Sequence, residues 1–115
     1  MCALSVGPSS PSQPNSVRYI NTTHSTATIE WRISSIAYTP ETYYVEYGTS
    51  RSVLNQQSQN IESGSDLTIT NQLYSVDITG LTSNTTYYYR VVASNNFTST
   101  PSTISSFVTI TLRKY

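Results

Sequence analysis

The chain has 115 residues and a mass of 12.8 kDa, enough for one domain around one hydrophobic core. Six Lys/Arg balance six Asp/Glu, so no net field steers it toward nucleic acid or an anionic membrane. Serine and threonine make up about a third of the residues, yet ten Tyr, two Phe and one Trp supply the large apolar bodies that disordered chains lack.

Residues 1–14 carry Pro8, Pro11 and Pro14 among Ser and Gly, a composition that reads as an extended N-terminal linker, and the domain is expected over 15–113. Val17-Arg18-Tyr19-Ile20 reads as the first strand and 21–25 as a turn. Ala27, Ile29 and Trp31 then alternate with Thr28, Glu30 and Arg32, which puts the first set on a buried face. Ser34 to Pro40 reads as a loop, with Pro40 stopping the pairing. Tyr43, Val45 and Tyr47 alternate with Tyr44 and Glu46, and Gly48 ends that strand. The polar stretch 49–66 is the least structured, with a short strand near Val53-Leu54 or Ile61. Leu67 to Thr70 is a strand end and Tyr74 to Ile78 a clearer strand. Thr86 to Ser94 is a long strand with Tyr87, Tyr89, Val91 and Ala93 in phase. Asn95 to Ser106 reads as a polar loop, and Val108, Ile110 and Leu112 close the domain. No segment has a 3.6-residue period. About seven short strands in roughly 95 residues argue an all-β, two-sheet antiparallel sandwich.

The sequence offers no machinery for chemistry. Cys2 is the single cysteine, so neither an intrachain disulfide nor a Cys zinc site can form, and it reads as an inert thiol in a frayed end. His24 is the single histidine, in a turn-like run, and no G-x-S-x-G elbow surrounds any serine. Glu30, Glu41, Glu46, Glu62, Asp66 and Asp77 form no calcium loop or H-E-x-x-H helix, and the four glycines stand far apart. No catalytic residue, cofactor or metal is expected. No apolar run approaches the ~20 residues of a membrane span. Residues 1–6 are too short for a secretion h-region and lack a basic flank, so an extracellular protein would carry its signal outside this chain.

The stretch Gly80-Leu81-x-x-x-Thr85-x-Tyr87-x-x-Arg90-Val91-x-Ala93 resembles the E–F corner and F strand of fibronectin type III domains. Ala27-Thr28-Ile29-Glu30-Trp31 is similar to the family's strand B with its core tryptophan, and Tyr43-x-Val45-x-Tyr47-Gly48 to its strand C. The resemblance covers roughly 14–112 and implies an immunoglobulin-like sandwich in which Tyr87 forms the tyrosine corner, its hydroxyl bonded to backbone a few residues upstream. Trp31, Tyr43, Val45, Tyr47, Leu81, Tyr87, Tyr89 and Val91 are expected to carry the core. Where the family often has proline and glycine in the E–F turn, this chain has Ser83-Asn84, and Asn tolerates left-handed backbone. An immunoglobulin domain proper would need a Cys…Trp…Cys set, which one cysteine cannot supply.

The family resemblance implies a non-catalytic interaction and spacer module of a larger extracellular adhesion or receptor-type protein, tethered to sibling domains and binding a protein partner. The alternatives are an accessory or linker domain of a secreted carbohydrate-active enzyme and a plain structural spacer. Neither an Arg-Gly-Asp motif in 95–106 nor a Trp-Ser-x-Trp-Ser box is present. By strand phase, Tyr44 and Glu46 face outward beside Tyr88 and Arg90, with Phe107 joining them, and Tyr and Arg are the residues interface hot spots favour. The same residues would also stabilise a sheet with no ligand, as Tyr–Tyr and Glu–Arg cross-strand pairs. Three N-x-[ST] sequons start at Asn21, Asn84 and Asn96. About that many arise by chance from this composition, so their placement at turns, where glycans can be carried, is the stronger observation.

Overall fold

The computed structural model describes residues 11–35, 41–63, 70–95 and 98–112. Among them lie nine strand segments and no helix: β1 (Asn15–Thr22), β2 (Ala27–Ser35), β3 (Thr42–Gly48), β4 (Gln56–Gln57), β5 (Ile61–Glu62), β6 (Thr70–Ile78), β7 (Thr86–Ser94), β8 (Ser99–Pro101) and β9 (Ser105–Val108). All pairings are antiparallel. One sheet has the order β1-β2-β6; in the other, β3 and β7 are central, β4 and β5 flank β3, and β8 and β9 flank β7. Since β4/β5 and β8/β9 are each one interrupted edge strand, nine segments amount to seven strands. The fold is a fibronectin type III-like, two-sheet antiparallel sandwich.

Hydroxyl side chains bridge the interruptions. The Ser58 N–H donates to the Val45 carbonyl (2.8 Å) and its Oγ accepts the Val45 N–H (2.8 Å), filling the gap between β4 and β5. Ser102 does the same to Val91 between β8 and β9, at 2.7 and 2.9 Å. Ser63 repeats the arrangement on Glu41, at 2.8 Å each way, and Thr109 on Thr85, at 3.0 Å each way. In each case a side-chain oxygen stands where a ladder would use a backbone carbonyl, so the amides of Val45, Val91, Glu41 and Thr85 keep a partner. Part of the serine and threonine content is thereby structural.

The phase read from β2, β3 and β7 sets the core. Ala27, Ile29, Trp31 and Ile33 of β2 meet Tyr43, Val45 and Tyr47 of β3, Tyr87, Tyr89, Val91 and Ala93 of β7, and Val76 and Ile78 of β6, all buried. Leu81 and Phe107 complete the set. Trp31 is fully buried, and its ring packs on Tyr43 (6.1 Å, 68°) and Tyr74 (6.1 Å, 20°). Its Nε1–H has no acceptor among the described residues.

The E–F corner follows from its sequence. The Tyr87 hydroxyl accepts the Thr82 N–H at 2.8 Å while its ring stacks on Phe107 (5.7 Å, 21°). Asn84 sits at φ 50°, the left-handed geometry that asparagine tolerates. The buried Thr109 hydroxyl donates to the Thr82 carbonyl at 2.6 Å, tying the turn to the last strand.

Several expectations need correction. The segment 95–106 is not all loop: it contains β8 and the start of β9, because pairing to β7 uses backbone groups and does not require apolar side chains. β2 runs to Ser35, into the expected loop, and 36–40 lie outside the described residues, as do Leu67–Ile69 and Cys2. Phe107 does not join the outer face. It pairs with Tyr87 in the ladder, so both rings point inward, and it is 2% exposed. The last strand ends at Val108, and Val108, Ile110 and Leu112 are the outward set, 54–55% exposed, while Thr109 points in. Pro11 and Pro14, assigned to the extension by composition, are buried.

Candidate functional site

No group of three or more His, Cys, Asp or Glu side chains that could hold a metal ion occurs among the described residues. His24 is exposed on a turn closed by Thr23, whose N–H donates to the Thr26 carbonyl at 2.9 Å and whose hydroxyl accepts the Thr26 N–H at 2.9 Å. Among the described residues no helix is long and apolar enough to cross a membrane.

The register of β3 on β7 decides which side chains share the outer face of the four-stranded sheet. Glu46 stands opposite Arg90, Tyr44 opposite Val92 and Gly48 opposite Tyr88. The core-facing residues alternate with these, so Tyr44, Glu46, Tyr88, Arg90 and Val92 all project outward. The structure brings the four candidate residues together: the Arg90 Nε donates to Glu46 Oε1 at 2.8 Å, and all four are half-buried. Burial, then the Glu46 carboxylate, raises the pKa of the Tyr44 hydroxyl, partly offset by Arg90. Val92 is only 4% exposed although it points to this side, between its ladder partners Tyr44 and Pro101. Val108 and Ser106 extend the face across β9, opposite Thr86 and Tyr88.

Phase alone could not supply one member of this face. The turn after Gly48 folds back so that the Arg51 guanidinium lies 5.3 Å from the centre of the Tyr88 ring, a cation–π distance. Glycine is required there: a Cβ on Gly48 would fall 2.3 Å from the Val53 carbonyl oxygen. A hydrogen bond between Ser50 and Val53 (3.0 Å) closes the turn. The sequence carries no motif for this contact, since it depends on how a loop returns.

A second group went unmarked because it lies in the core. Glu41 is fully buried, and its Oε1 accepts the Tyr43 hydroxyl at 2.8 Å. Burial and this carboxylate push the Tyr43 hydroxyl far above the ordinary tyrosine range. Tyr74, 4.7 Å from the Tyr43 ring centre, is raised as well, chiefly by burial. A polar groove of about 400 Å³ at the opposite end of the sandwich is lined by Asn55, Gln56, Thr79 and Thr82 beside Tyr47 and Tyr87. It offers hydroxyls and amides but no carboxylate, imidazole or cation. Of the sequons, Asn21 is exposed at the end of β1 and Asn84 exposed in the E–F turn. Asn96 lies outside the described residues.

Comparison with known proteins agrees with this architecture. Among solved structures, the fibronectin type III domain of human fibronectin type III domain containing protein 3 is similar at a TM-score of 0.66 and 22% identity, covering 93% of each chain. Chicken CNTN1 FN1-FN3 domains match at 0.65 and 22%, over 87% of this chain and 32% of that one. The sensor domain of the anti-sigma factor RsgI4 of Pseudobacteroides cellulosolvens matches at 0.63 and 17%, over 84% and 92%. At these identities the likeness is one of fold. No curated protein sequence matches. The family model for the purple acid phosphatase N-terminal domain matches residues 12–109. With its stitched seven-strand sandwich and its aromatic core, the chain belongs to the purple acid phosphatase N-terminal domain family, which shares the fibronectin type III fold.

Proposed function

We propose that this chain is a non-catalytic accessory module of a larger protein, positioned ahead of a phosphatase domain. The observation that carries the reading is the family match over 12–109, to a domain named for its place before a phosphatase and not for its chemistry. The accessory-domain reading thereby moves from a carbohydrate-active enzyme to a phosphatase, and the module's contribution is spacing and docking. An assay of p-nitrophenyl phosphate hydrolysis by the chain, with ferric and zinc ions supplied, should give no turnover above the blank. Turnover lost on heat denaturation would refute the reading. Sequencing the native transcript past both ends tests the position: a phosphatase domain downstream supports it.

The interaction-module reading of an adhesion or receptor protein is favoured by a different feature, the Tyr- and Arg-bearing outer face. Sibling modules and a membrane span in the same transcript would decide for it. An extracellular setting is part of both readings and is supported by the exposed sequons at Asn21 and Asn84. Secretion from a eukaryotic host followed by glycosidase treatment should give a mobility shift that Asn84→Gln or Asn21→Gln reduces.

A further inference from the structure

We infer that the outer face of the four-stranded sheet is a self-association surface, on which a second copy of this chain packs about a two-fold axis parallel to the strands. This goes beyond the accessory-module reading and does not depend on it. At the centre of the face a single anion and a single cation stand side by side, Glu46 on β3 and Arg90 on β7, 2.8 Å apart. A two-fold axis running between these strands lays β3 of one copy over β7 of the other. Each Glu46 then faces the second copy's Arg90, so the four charges alternate, and the face is complementary to itself.

The flanking layers agree with that operator. Tyr44 would lie over its own ladder layer in the second copy, where Val92 is already covered by its neighbours, and Tyr88 would meet the second copy's turn at Gly48 and Arg51. The centre is therefore Tyr and Arg, side chains that interface cores enrich, with the Glu46 charge neutralised. Val108, 55% exposed on β9, adds an apolar margin that this chain alone leaves to water. With six cations and six anions overall, two copies meet without long-range repulsion. Packing two twisted sheets face to face is the ordinary aligned geometry of β-sandwiches.

The test is sedimentation of the 115-residue chain over a wide concentration range, with thermal melts verifying that each variant is folded. A dimer of twice 12.8 kDa is expected. Glu46→Arg alone and Arg90→Glu alone set like charges against each other and should weaken it at least about tenfold. The double variant E46R/R90E restores both the pair within the chain and the alternation across the axis, and should bring the dissociation constant back to within about threefold. Tyr44→Ala with Tyr88→Ala should also weaken it at least about tenfold. A monomer at every concentration overturns the inference and assigns the face to another partner or to none. A dimer indifferent to the single charge reversals, or one that the exchange does not restore, overturns it equally.

Discussion

Removing one oxygen from Tyr87 isolates the contribution of the E–F corner. Tyr87→Phe keeps the ring between Tyr47 (6.3 Å) and Phe107 (5.7 Å) and deletes only the acceptor of the Thr82 N–H. A typical hydrogen bond contributes about 1 kcal/mol net, and a buried donor left without a partner costs about 1–3 kcal/mol. Tyr87 is 7% exposed, but Thr82 lies at the surface, so water recovers part of the loss and about 1–2 kcal/mol is expected. For a domain near 100 residues that lowers Tm by roughly 5–10 °C. Urea titration followed by the fluorescence of Trp31, the single tryptophan and fully buried, reads the change directly. The midpoint should fall with the slope unchanged. Tyr88→Phe on the outer face is the control and should stay within about 0.5 kcal/mol. A loss below about 0.3 kcal/mol for Tyr87→Phe would refute the corner's role.

The hydroxyl bridges are open to the same titration: Ser102→Ala strips the acceptor from the buried Val91 N–H, and Thr109→Val those bonds that join Thr82 and Thr85. Each should cost about 1–3 kcal/mol, and neutrality of both would show that water replaces the hydroxyls. Gly48→Ala must displace the turn that holds Val53, 2.3 Å from the new methyl, at about 1–3 kcal/mol; an unchanged thermal midpoint would contradict that geometry. Tyr43, Tyr44, Tyr47, Tyr74 and Tyr89 all have pKa values raised above 10.0, each chiefly by burial. Above pH 10 the unfolded chain releases protons that the folded chain retains, so this stability is whole below pH 10 and is lost as pH rises through the folded values. Urea midpoints taken upward from pH 9 should hold level and then fall, and a midpoint still level at about pH 11.5 would be inconsistent with the buried hydroxyls.

The inward residues of β2, β3 and β7 could be read from alternation because each strand has one apolar and one polar face, and a Trp or Tyr marks the apolar one. The final strand defeated the same rule. Val108, Ile110 and Leu112 alternate cleanly, but alternation gives the period and not the side. Phe107 and the polar Thr109 take the interior because Phe107 pairs with Tyr87 and Thr109 is needed by the E–F turn. Within 95–106 the polar sequence hid two strand segments, whose ladder bonds are backbone and, at Ser102, hydroxyl. Of the outer face, Tyr44, Glu46, Tyr88 and Arg90 were legible from strand phase. The register forms the expected Glu–Arg pair as Glu46–Arg90 but sets Tyr44 opposite Val92 and Tyr88 opposite Gly48, so no Tyr–Tyr ladder pair results, and the Arg51–Tyr88 contact needed the path of a loop. Glu41 carried no signal at all, because burial of a carboxylate beside a tyrosine hydroxyl has no sequence pattern.

The interrupted edge strands bear on what happens when many copies are crowded together. An unbroken edge is a template on which another chain can add a strand. On the four-stranded sheet both edges are cut into pieces of two to four residues, and Ser58 and Ser102 have turned inward to serve their own neighbours. On the other sheet β1 is broken by two register shifts. Among the described residues only β6 offers a long edge, nine residues set against β2 without a slip. Its outer side is guarded by the charge of Asp77 near one end and the left-handed Asn71 near the other. A chain built this way can be held close to its copies, in series or in crowded solution, with one sheet edge left at which strands could fuse.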